Sequence, residues 1–123
     1  MAVYQSQSPE EKRAVSTKAS YARSLCITNV SGSTRYVWVF DNSSAATGTV
    51  LCNPVQILAG RTVSIVFEPT LLKFSNGMYV AASSTQSTYT ATSAADFMIH
   101  ADIAPQHVVT MKPVRQAQYS ALD

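Results

Sequence analysis

Glycine is scarce in this chain, and its four copies, Gly32, Gly48, Gly60 and Gly77, stand far apart. A phosphate-cradling loop needs close-set glycines so that backbone N–H groups can approach the anion, and neither the Walker-type nor the GxGxxG spacing is present. A GxSxG nucleophile elbow is equally missing. Charge is also sparse: 13% of residues are charged, against a usual fraction of about one quarter. Nine Lys and Arg face seven Asp and Glu, too small a field to gather nucleic acid or an anionic membrane, so neither is expected as a partner. No apolar run approaches the roughly 20 residues of a membrane span. The opening residues lack a basic and then apolar leader, which leads us to expect synthesis and retention in a cytosol. The two cysteines, Cys26 and Cys52, form neither a CxxC nor a Cys/His cluster, which leaves zinc binding and thiol redox catalysis without support. No cofactor is expected.

What is present is apolar and small. With 123 residues and 46% hydrophobic side chains, the chain is long and apolar enough for one folded domain. Ser, Thr and Ala fill the places charge leaves. Such residues make flat, neutral surfaces that another protein can cover at low desolvation cost. The composition therefore favours a structural or interaction role over an enzyme.

The pattern divides the chain into three zones. Residues 1–23 read as a polar N-terminal arm. Within it Ser8-Pro9-Glu10-Glu11 has the form of a helix start, with Ser8 as N-cap, Pro9 in the first turn and Glu11 closing a capping box. One short helix is expected there, leaning on something else because its apolar face is thin. Residues 24–103 read as β. Ser24–Val30 and Arg35–Asp41, both rich in β-branched and aromatic residues, are expected to pair as a hairpin about Ser31–Thr34. Thr62–Phe67 alternates, with Val63, Ile65 and Phe67 on one face. Asn76-Gly77 suggests a second hairpin through a type I′ turn. Asp96–Ile103 places Phe97, Ile99, Ala101 and Ile103 inward against Asp96, Met98, His100 and Asp102 outward. Short strands at this spacing predict an all-β fold, a small antiparallel β-sandwich or barrel with extended N- and C-terminal arms. Residues 104–123, with Pro105 and Pro113, read as a second arm or an edge strand.

A few constellations stand out. Tyr36, Trp38 and Phe40 share one face of a strand whose other face carries Val37 and Val39. Burial of both faces explains this, and an aromatic contact face for a neighbouring subunit is the alternative. Cys26 and Cys52 are read as reduced buried thiols, with a disulfide, within or between chains, as the alternative. His100 and Asp102 share a strand face and His107 lies beyond it, with no third ligand or nucleophile to make a site, so a solvated face is expected. Asn29-Val30-Ser31 and Asn42-Ser43-Ser44 are sequons to which no role is assigned.

The order of features from Tyr36 to Ile103, YVWVFDNSSAATGT, PVQILAGRTVSIVF, FSNGMYVAASS and TSAADFMIHADI, resembles small β-sandwich structural proteins of tailed bacteriophages. The resemblance covers a little over half the chain, and FSNGMYVAASS carries most of it. It implies a non-enzymatic virion structural protein without catalytic residues, assembled in the host cytoplasm. The expected role is a homo-oligomeric ring at the neck or collar, contacting other copies of itself and other virion proteins through its arms. A capsid decoration protein is the alternative within that class. A carbohydrate- or surface-binding β module, using Tyr36, Trp38, Tyr79 and Tyr89, is the alternative outside it.

Overall fold

The computed structural model describes residues 2–104. The C-terminal arm expected over 104–123, with His107, lies outside the described residues except for Ala104, which ends a strand. Nine strands run in chain order: β1 (Ala2–Gln5), β2 (Lys12–Ser16), β3 (Ser20–Asn29), β4 (Arg35–Phe40), β5 (Val55–Ile57), β6 (Thr62–Val66), β7 (Leu72–Phe74), β8 (Met78–Ser83) and β9 (Phe97–Ala104). They form two antiparallel sheets, β1-β9-β3-β6 with β7 also on β3, and β2-β8-β4-β5. The sheets pack face to face as a β-sandwich and do not close into a barrel.

The core lies between them. Leu25, Ile27, Phe97, Ile99 and Ala101 from the first sheet meet Val37, Val39, Met78, Val80 and Ala82 from the second, all at most 1% exposed. Period-two alternation supplies these inner faces. In β3 the alternation slips once: Ser20 and Ala22 point inward, then Leu25, Ile27 and Asn29. The register with β9 shifts between Ala22 and Ser24, so Arg23 is the extra residue of a bulge that resets the phase.

Three expectations are corrected here. No helix forms at Ser8–Glu11: the regular elements among the described residues are all strands. The apolar face is too thin to hold a helix, and the chain gains more by pairing, β1 with β9 and β2 with β8. The N-terminal segment is thus not a free arm, since from residue 2 it supplies an edge strand to each sheet, and the boundary at residue 23 falls inside β3. Nor do the two expected hairpins form. β3 and β4 lie in different sheets, as do β7 and β8. Both short connections cross from one layer to the other.

At Asn76-Gly77 the reason is steric. Gly77 is not in the left-handed region; an added Cβ there would lie 2.7 Å from the Ser16 carbonyl oxygen, 2.8 Å from Ser43 Cα and 2.9 Å from the Asn42 carbonyl oxygen. Glycine is needed because three backbone segments meet there. Asp41 fixes the same crossing: its carboxylate accepts hydrogen bonds from the backbone N–H groups of Ser75 (3.1 Å), Asn76 (2.7 Å) and Gly77 (3.3 Å). Burial alone pushes its pKa up, but these three donors outweigh it and hold the carboxyl below its ordinary value.

Candidate functional site: the outer faces of the two sheets

Each sheet of a sandwich has a second face, and a partner or ligand has to be met there or at the edges. On the second sheet that face is closed over the central strands β4 and β8. Trp38 and Phe40 of β4 stand over Ala81 of β8, whose small side chain leaves room for the rings. Their rings stack at 5.9 Å, and Tyr89 from the β8–β9 connection meets both edge-on at 6.0 and 5.5 Å. The Trp38 indole N–H donates to the Thr85 carbonyl at 3.2 Å. Ser83 organises the covering loop, its hydroxyl donating to the Thr85 carbonyl and accepting from the N–H groups of Thr85 and Thr90. Trp38 is left 8% exposed and Phe40 4%. Of the residues proposed as an aromatic contact face, only Tyr36 is more than marginally accessible. The rings are used inside the chain.

The outer face of the first sheet is open. Three rows cross it in register. Val3, Asp102, Ser24 and Val66 form one, Gln5, His100, Cys26 and Ser64 the next, and Met98, Thr28 and Thr62 the third. Val3 is 56% exposed and Val66 66%. Within these rows small and neutral side chains dominate, with Asp102 and His100 the two titratable ones besides the thiol; beyond them the face carries Tyr21 on β3 and Lys73 on β7. A shallow depression lies across the middle, bordered by Gln5, Ser6, Cys26, Thr28, Met98, Ile99 and His100. The Ser64 hydroxyl reaches Cys26 Sγ at 3.5 Å, and those of Thr28 and Thr62 lie 2.8 Å apart.

At the β1 edge a polar knot ties the two sheets together. Glu10 accepts hydrogen bonds from the Tyr4 and Ser6 hydroxyls on one oxygen and pairs with Arg13 on the other. The Arg13 guanidinium also lies 5.4 Å from the centre of the Tyr4 ring. Ser6, 4% exposed, accepts from the Ile99 N–H at 2.9 Å, so the knot is bonded to β9. Burial raises the Glu10 pKa, yet the Tyr4, Ser6 and Arg13 donors outweigh it and lower it overall. Burial and the neighbouring carboxylate push Tyr4 up. Glu10, assigned from sequence to a helix turn, is a junction residue.

The remaining candidates are dispersed. Cys26 and Cys52 are both free and half-buried; Cys26 sits on the open face, whereas Cys52 packs against the core and burial pushes its thiol pKa up. Asn29 is fully buried, its amide donating to the Ser33 and Ile57 carbonyls and accepting from Ser31, so its sequon is structural. Asn42 accepts from the Ser44 and Ala45 N–H groups. Asp96, expected outward, is buried and pairs with Arg35 at 2.7 Å, closing the end of the sandwich. Among the described residues no group of three His, Cys, Asp or Glu side chains is placed to hold a metal ion. Sequence reasoning put Met98 and His100 on one face but missed Cys26 opposite His100, because that pairing joins residues 74 positions apart and leaves no local signal. No family model, no curated protein and no solved structure matches this chain.

Proposed function

We propose that this protein is a non-enzymatic structural subunit of a tailed-phage particle, assembling as a ring at the neck or collar. The observation that carries the reading is the open face of the first sheet, four strands wide, neutral, and edged by Val3 and Val66. A face of this kind is dried at low cost when a second copy or another virion protein covers it. The phage-like order of features between Tyr36 and Ile103 supplies the particle. Residues 2–23 have a different part from the one first expected: they complete both sheets, and contacts between subunits fall to the open face and the strand edges. The alternative of a sugar-binding module loses its main support, because the Trp38 ring is buried under Tyr89.

Antibody-labelled electron microscopy of particles tests the assignment. Label at one vertex is the expected result. Label over the whole shell identifies a decoration protein instead, and particles without label overturn the virion reading.

A further inference from the structure

We propose that Cys26, His100 and Met98 form a binding site for a soft monovalent cation, Cu(I) or its analogue Ag(I), on the open face of the first sheet. The three side chains border one depression. Cys26 on β3 lies directly opposite His100 on β9, which sets their Cβ atoms about 4.5–5.5 Å apart on the same face. Met98 follows two residues away on β9, diagonal to Cys26. Its unbranched thioether has three rotatable bonds with which to close the remaining gap.

The donor set selects the metal. Thiolate and thioether sulfur favour Cu(I), and imidazole suits it as well. Calcium and magnesium need several oxygen ligands, whereas the outer face of this sheet offers one carboxylate, Asp102. Structural zinc takes four Cys, His or carboxylate ligands as a rule, whereas only Cys26 and His100 of these types border the depression. Cys26 is half-buried but borders the depression, and it receives one long hydrogen bond, from Ser64 at 3.5 Å, so its sulfur lone pairs are open to a ligand. On binding, the Cys26 S–H bond breaks, its proton passes to water, and the sulfur lone pair forms the bond to the metal. No electron is transferred. The site is a property of the single chain and does not depend on the virion reading.

Cys52 provides an internal control, since it packs against the apolar core and does not border the depression. The purified chain is titrated anaerobically with Cu(I) held by a chromogenic chelator, and the complex is weighed by native mass spectrometry. The chain is expected to take one Cu(I) from the chelator. Cys26→Ser abolishes the transfer, and His100→Gln and Met98→Leu each weaken it by about tenfold or more, whereas Cys52→Ser leaves it unchanged. The proposal is overturned if the chelator keeps the metal. It is also overturned if Cys52→Ser removes binding, or if His100→Gln and Met98→Leu both leave the affinity within about twofold, which would mean a thiol acting alone.

Discussion

The two outer faces of this sandwich are built from similar strands and treated in opposite ways. On the second sheet, large aromatic rings are sealed by the chain's own β8–β9 connection, and they form a satellite core of Trp38, Phe40 and Ala81 beside Tyr89. On the first sheet, small polar residues, two valines and a Cys/His/Met group are left uncovered. The difference teaches where the molecule invests stability and where it keeps surface for others. Rings left in water would forfeit the gain of burying them, so they are covered; a Ser/Thr face costs little either way and stays available.

The sharpest way to break this contrast is at the N-terminus. Deleting residues 2–16 removes β1 and β2, one edge strand from each sheet, together with the Glu10 knot. The expected outcome is loss of cooperative unfolding and of dispersed amide NMR signals. A truncated chain that still melts in one transition would restore the free-arm picture. Next comes Trp38→Ala, which empties the closed face and is expected to cost about 3–5 kcal/mol in denaturant unfolding. Gly77→Ala, pressing a methyl against three backbone segments, is expected to cost about 1–3 kcal/mol.

Smaller effects follow with pH. Glu10 and Asp41 have folded pKa values below their ordinary ones, so their contribution is complete above the unfolded pKa and is lost as pH falls through the folded value. The stability difference between the native chain and Asp41→Asn should therefore shrink below about pH 4. Tyr4 is raised, so its share is present below its unfolded pKa and is lost in strongly alkaline solution as pH rises through the folded value. The smallest effect on stability belongs to the open face: Val66→Lys, at 66% exposure, should shift unfolding by less than about 0.5 kcal/mol. The same substitution should nevertheless lower the native mass of any assembly, and an unchanged mass would move the interface elsewhere.

Some of this was legible from residues alone. The inward set of β9 follows its alternation, from Phe97 to Ile103, and β4 reads as apolar on both sides because it is central in its sheet and capped outside. The candidate site was half legible: Met98 and His100 fall on one face by period, but nothing local to β9 announces Cys26. The misread elements share one cause. Ser8-Pro9-Glu10-Glu11 satisfies the local rules for a helix start, and Asn76-Gly77 those for a hairpin, yet in both places long-range contacts outweigh propensity. The Glu10 backbone is paired in both directions with Phe97 of β9, and Gly77 is held by its packing against Ser16, Asn42 and Ser43.

The sequence by itself determined that the chain is all-β and, for β6 and β9, which side chains face the core, because alternation is a property of each strand alone and is enforced by burial on one face. Only the tertiary structure decided which strands are neighbours, which short connections cross between layers, and which outer face is sealed. Period two carries no information about a strand's partner. Pairing is chosen by the summed fit of side chains across the whole sandwich, and that sum exists only once the sheets have met.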